Sequence, residues 1–312
     1  FRMNIFVSFC LLVKTNSFSF VQIKTNTHSF QKRNYLKECR CQFAFFVFPL
    51  SKLDYFCQMS TFRFVTVNVF SFRHPEKYES NLTDLVSIFS ELNLDLIAVQ
   101  EIQDDDKWKK FRSRLGFDYS ACGMAHRKYF GNGFACRHPI ICSENQVTDS
   151  YPGGKRAFLQ CSLQGFEQIQ FAVTHLDHLN EDCRLSQIAE FQPNEKQIDI
   201  LMGDFNALTR NDYSDRYYQN IVEGKRRQSG WELPRFDLTN LLTNTWKYED
   251  VFRIANPELK DEDVSTCAYG TRIDYVFLHP RLTDRFFVNK CEIIDTKGVT
   301  DHNAIFVELK SK

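Results

Sequence analysis

Short apolar runs in this chain stop again and again on a residue that can hold a metal ion or move a proton, and this placement constrains the fold more than any other feature. Residues 62–70 (FRFVTVNVF) alternate, are rich in β-branched and aromatic side chains, and read as a strand carrying Asn68 near its end. Residues 94–99 (LDLIAV) form a nearly continuous apolar run, the mark of a strand covered on both faces, and Glu101 follows at once. His175 closes the strand predicted over 169–173, and Asp204 and Asn206 follow a buried strand over 198–202. Asp274 lies in the strand predicted over 272–278, while Asp301 and His302 open the last one, over 304–309. Strand ends gathered on one rim are where α/β proteins place ligands.

Helices intervene. Leu82, Leu85, Val86, Phe89 and Leu92 recur at three and four, which makes an amphipathic helix. Trp108, Phe111 and Leu115 predict another before Gly116, and residues 182–191 a third; a further strand is expected over 157–163. Alternation of strands and helices in both halves fits two sheets packed face to face with helices outside. No short internal repeat is visible.

The first 58 residues differ from the rest. They are crowded with Phe, Ser, Thr, Asn and Lys and show no sustained period. The apolar stretch 4–13 has the character of a signal-peptide core, but Lys14 closes it early and no small-residue cleavage site follows. The segment is expected to be an unstructured leader or a mispredicted gene start with Met59 as the true first residue, and residues 59–312 the catalytic domain.

Lys+Arg and Asp+Glu both number 39, so bulk positive charge cannot be the grip on a nucleic acid, although a local basic groove can be. The eleven cysteines form no zinc-type ladder and are expected to be reduced thiols of a cytoplasmic or nuclear protein. No run approaches the length of a spanning helix.

The polar inventory suits attack on a phosphate ester. A hard divalent cation, Mg²⁺ or Mn²⁺, takes oxygen ligands and needs only one or two protein carboxylates; Glu101 and Asp301 can supply them, while Asn68 can donate to phosphate or position a carboxylate. Asp204 can orient or deprotonate the attacking water, and Asn206 can donate to phosphate. Asp274 can fix the His302 imidazole, and His175 can donate to the developing phosphorane. No Ser or Cys stands in a nucleophile-elbow context, so nothing suits a covalent route.

The ordered set of Asn68, Gln100–Glu101, THL at 174–176, GDFN at 203–206, RIDY at 272–275 and TDH at 300–302 resembles the endonuclease/exonuclease/phosphatase superfamily, which includes deoxyribonuclease I. GNGFACRHPI at 131–140 and the pair Arg184 and Gln187 agree with it. The resemblance implies a four-layer α/β sandwich of two mostly antiparallel sheets flanked by helices, and Mg²⁺-dependent hydrolysis of phosphoric esters. It implies metal ligation by Glu101 with Asn68 and Asp301 beside it, and catalytic roles for His175, Asp204, Asn206, Asp274 and His302. Two departures are Val67, where many members carry Trp or Phe, and Thr300, where Ser is usual.

Each residue has a structural alternative. Asn68 and Asn206 can bond turn backbone, Glu101 and Asp204 can cap helices, Asp274 can pair with Arg272, and His175 can simply pack. Joint occurrence at successive strand ends argues for the catalytic set. His126, His138 and His178 are expected to be surface or packing residues. The run 107–114 (KWKKFRSR) reads as a solvated helix face. Arg156 and the basic segment Lys225, Arg226 and Arg227 are expected to bind substrate, and Trp231 beside them can stack a base.

The expected protein is a monomeric phosphodiesterase acting by in-line attack of water, on nucleic acid. The alternatives are a phospholipid or inositol-phosphate hydrolase of sphingomyelinase type, a deadenylase, and a non-catalytic scaffold of the same fold.

Overall fold

The computed structural model describes residues 61–126 and 129–312; the segment 1–58, expected to be a leader or a mispredicted start, and Met59 lie outside the described residues. One six-stranded sheet is built from β1 (Thr61–Asn68), β2 (Leu96–Ile102), β3 (Tyr119–His126), β4 (Tyr129–Cys136), β11 (Phe286–Ile294) and β12 (Ala304–Ser311), in the order β11-β12-β1-β2-β4-β3. The other is built from β5 (Ile140–Val147), β6 (Ala157–Leu163), β7 (Phe171–His175), β8 (Ile200–Asp204), β9 (Glu249–Asp250) and β10 (Asp274–Leu278), in the order β5-β6-β7-β8-β10-β9.

Each sheet holds one parallel pair at its centre, β1 with β2 and β7 with β8, and every other pairing is antiparallel. Parallel neighbours need a crossover. Helix α1 (Leu82–Ser90) supplies the first and α3 (Glu181–Phe191) the second, while α2 (Asp106–Arg114) follows β2. The period-two pattern of the strands then decides which side chains meet. Phe64, Ala98, Val173, Met202, Val276 and Val307 point into one core between the sheets. Their neighbours in sequence, such as Val65, Ile97 and Phe306, face α1 and α2, where Leu85, Phe89, Trp108 and Phe111 bury their side chains. Ala172, Leu201 and Phe277 face α3 through Ile188 and Phe191. The layers are therefore helix, sheet, sheet, helix, as the sequence pattern implies. Each fully buried Phe, Leu or Val in these layers contributes about 1.5–3 kcal/mol relative to exposure.

The strand limits depart from the apolar pattern in one direction. β7 runs to His175 and β8 to Asp204, each about two residues past the last apolar residue, and β2 continues through Glu101. Inward positions turn polar at the rim while the hydrogen-bonded ladder goes on. Asn68, Glu101, His175, Asp204 and Asp274 thus belong to the strands themselves, whereas Asn206 lies past β8 and Asp301 and His302 lie just before β12.

The solvated-face reading of 107–114 holds: Trp108 and Phe111 are buried, whereas Lys109, Lys110 and Arg114 are exposed. Asp105, not Glu101, caps α2, accepting from the backbone of Lys107 and Trp108 at 2.9 and 3.1 Å. The cysteines among the described residues are free thiols, mostly buried. No helix among the described residues is long and apolar enough to cross a membrane.

Candidate active site

Strand parity builds the site. Asn68 shares its face with Phe64 and Thr66, His175 with Val173, Asp204 with Met202, and Asp274 with Val276, so all four continue the inter-sheet core onto its polar rim. Glu101 has the wrong parity for that face. A bulge between Val99 and Ile102, with Glu101 at φ 58°, re-aims it. The Asn68 amide then reaches both sheets, donating to Glu101 Oε1 at 3.0 Å and to Asp204 Oδ2 at 3.2 Å. Its own Oδ1 accepts from the backbone of Phe70 at 3.1 Å, which fixes the amide orientation.

Asp204 is the hub. Its Oδ1 accepts from the backbone of Asn206 at 3.0 Å, and its Oδ2 lies 3.4 Å from His175 Nε2 and 3.7 Å from His302 Nε2. His302 Nδ1 meets Asp274 Oδ2 at 2.8 Å, with Asp274 wholly buried. The ring and the two aspartates lie within 4.8 Å of one another, close enough to share a metal ion. Asp274 does not pair with Arg272, the alternative open at the sequence level; Arg272 binds Asp212 and Asp250 instead. The Thr300 hydroxyl, a group that Ser also carries, donates to the Asn68 carbonyl at 2.9 Å and ties the segment before the last strand to β1.

Charge follows burial. Loss of water and the adjacent Asp274 raise the Asp204 carboxyl above the ordinary aspartate range. Burial works against a charged His302, but Asp274 and Asp204 outweigh it and hold the imidazole protonated well above the usual histidine range. His175 goes the other way: burial and the positive charges of Arg156 and His302 keep it neutral. Glu101 is raised by burial and, beyond the help of Asn68, by the like charge of Asp301.

Arg156, next to the start of β6, is almost fully buried, with Nη2 at 3.1 Å from His178 Nδ1 and its Nε without a partner. It lies close enough to Asp204 and Glu101 to feel both charges. Asn206 turns its amide to the Leu176 carbonyl at 3.1 Å, in a left-handed backbone (φ 51°) that Asn tolerates. Lys225, Arg226 and Arg227 are each bound within the chain, to the Tyr269 carbonyl, the Glu232 carbonyl and the Glu223 carboxylate.

The residues 65–302 match the Endonuclease/Exonuclease/phosphatase family. The chain belongs to this family. No curated protein matches it significantly. Among solved structures it is similar to an endonuclease/exonuclease/phosphatase from Beutenbergia cavernae, with 17% identity over 81% of this chain and 72% of that one and a TM-score of 0.59. An AP endonuclease from Archaeoglobus fulgidus shares 16% identity over 79% of this chain and 98% of its own, at a TM-score of 0.56. The 3′ phosphatase NExo from Neisseria, bound to product DNA hairpin, shares 15% over 79% and 98%, also at 0.56. At these identities the likeness is one of fold. The endonuclease/exonuclease/phosphatase family comprises hydrolases of phosphoric esters, and the strand-end motifs of this member fall inside the matched span.

Gly203 of GDFN has a role of its own in this member of the family. It sits at φ 134°, and a Cβ there would lie 2.0 Å from the Thr174 carbonyl oxygen on β7. Only glycine allows β8 to approach β7 so closely just before Asp204. Gly203→Ala is expected to lower stability by about 1–3 kcal/mol and to displace Asp204. Urea unfolding beside a hydrolysis assay checks this; a variant equal to wild type in both would show that the strands separate without cost.

His178 is exposed, as the sequence reading expects. Its position three residues after His175 in THLDH is the available signal that it lies near the site, but only the fold shows that it touches Arg156. Asp177 holds that loop, its Oδ1 accepting from the backbones of Leu179 and Asn180 at 2.7 and 3.2 Å. Gln187 and Arg184 on α3 hold Asp177 in turn, through its N–H and its carbonyl.

Proposed function

We propose that residues 59–312 form a divalent-metal-dependent phosphodiesterase that hydrolyses nucleic acid by in-line attack of water. The observation that carries this reading is the meeting of Asn68, Glu101, His175, Asp204, Asp274 and His302 around one inter-sheet rim, tied by the Asn68 bonds across both sheets.

The residues present fit a hard cation. Glu101 and Asp301 offer carboxylate oxygens and would hold the ion, whose charge would relieve the repulsion that Asp301 exerts on Glu101. When bound, Mg²⁺ or Mn²⁺ supplies Lewis-acid polarisation of a phosphoryl oxygen. The triad of Asp204, Asp274 and His302 is the second possible holder. It is disfavoured because His302 Nδ1 is taken by Asp274 and the ring is held protonated, whereas a metal ligand must be neutral.

In this reading Asp204 orients the attacking water and accepts its proton. Asn68 fixes the Asp204 carboxylate, and Asn206 holds its other oxygen through a backbone N–H. The Asp274–His302 pair presents a positive N–H toward the charge that develops on phosphorus-bound oxygen. Arg156, with a buried Nε free to donate, binds a phosphate oxygen, and neutral His175 donates alongside it.

The test is a panel of single- and double-stranded DNA, RNA, sphingomyelin vesicles and an inositol phosphate, assayed with Mg²⁺, Mn²⁺ and chelator. Metal-dependent cleavage of nucleic acid is expected, with Glu101→Gln requiring more metal for half-maximal rate. Turnover confined to the lipid or the inositol phosphate would replace the substrate assignment. No turnover on any of them by folded protein would favour a scaffold.

A further inference from the structure

We infer that Trp231 and Tyr269 form a stacking platform for a nucleobase flanking the scissile phosphate, a deepening that rests on the nucleic-acid reading above. The two rings meet edge to face at 4.8 Å between centroids and 90° between planes, yet Trp231 is 43% and Tyr269 54% exposed. An edge-to-face pair leaves flat aromatic surface open to a third ring, and every base has a π-face to offer.

Both residues are placed by the backbone around them. The short helix Gly224–Ser229 ends at Gly230 in the left-handed region (φ 66°), and that turn presents Trp231. Tyr269 lies on the loop between Cys267 and Thr271, which the helical insertion grips twice. Lys225 Nζ donates to the Tyr269 carbonyl at 2.9 Å, and the Tyr217 hydroxyl donates to the Gly270 carbonyl at 3.0 Å. Lys225 is thus a brace for the platform.

The same loop is joined to the catalytic rim. Ala268 N donates to the Asp301 carbonyl at 3.0 Å, and Cys267 bridges to His302. Tyr269 is therefore one residue from a direct tie to Asp301. A base on this surface continues a strand whose phosphate lies at the site.

The experiment compares kcat/KM of the full chain on a single-stranded oligonucleotide and on one of equal length with abasic residues around the cleavage position. In wild type the base-bearing substrate is favoured. In Trp231→Ala or Tyr269→Ala the ratio of the two falls about tenfold, chiefly through KM, and Trp231→Phe restores most of it. Both side chains are exposed, and unchanged thermal unfolding verifies that the variants fold. Wild type that cleaves both substrates equally, or alanine variants that keep the wild-type ratio, would overturn the platform and leave the nuclease reading standing. Wild type that hydrolyses sphingomyelin vesicles or an inositol phosphate and neither oligonucleotide would overturn both.

Discussion

Asp204→Asn is expected to leave a folded protein whose metal-dependent hydrolysis has fallen at least about a hundredfold. The asparagine can keep the contact to the Asn206 backbone through its Oδ1. Its amide cannot accept from Asn68, nor face the charged His302 ring as a carboxylate does. The folded state loses one hydrogen bond, about 1 kcal/mol, and also loses a desolvated charge, so the melting temperature moves little. Hydrolysis loses the carboxylate that, among the described residues, is placed toward all of Asn68, His175 and His302. Single-turnover rates of the two proteins, beside their circular dichroism, measure this. A variant within tenfold of wild type would remove Asp204 from the chemistry. Combining it with His302→Asn should cost far less than the product of the single losses, because groups acting as one unit are not additive.

The largest effect on stability is expected at Arg272. Its guanidinium is wholly buried and binds two carboxylates in forked fashion, Asp212 at 2.8 and 3.0 Å and Asp250 at 2.9 and 2.6 Å. It also stacks over the Tyr275 ring at 4.3 Å. Taking three charges out of water is costly, and the mutual attraction offsets this only while the set is complete. Arg272→Met fills the space but strands two buried aspartates, with Arg253 the remaining cation, 3.2 Å from Asp212. A loss of about 3–5 kcal/mol in urea unfolding is expected. Adding Asp250→Asn to the Met variant should recover part of it. A loss below about 1 kcal/mol would mean that the cluster relaxes toward water. Asp274, the first residue of β10, follows Arg272 by two positions, so the same variant should also weaken catalysis in whatever fraction remains folded.

Much of this was legible in the chain. The layer order follows from strand parity, since Phe64 against Val65, or Val276 against Phe277, need only alternate to choose between the inter-sheet core and the helices. Parity also carries Asn68, His175, Asp204 and Asp274 onto one rim without any three-dimensional knowledge. The edge strands β3, β5 and β11 were less legible. β5 is exposed at most positions, so its sequence shows no apolar face to detect. The short helices of the insertion between β8 and β9 were equally hidden, being held by tertiary contacts such as Tyr217 to Gly270 rather than by a periodic apolar stripe.

What the sequence determined by itself is the set of chemical groups and the face that Asn68, His175, Asp204 and Asp274 take, because alternation along a strand is a local property of the backbone. What the tertiary structure alone decided is which groups touch. The bulge that turns Glu101 toward Asn68, the choice of Asp274 by His302 and of Asp212 and Asp250 by Arg272, and the meeting of His178 with Arg156 all join residues far apart in the chain or depend on a local break in strand register. Coulombic and hydrogen-bonding partners are selected by distance across the sandwich, and that distance exists only once both sheets have closed on their common core.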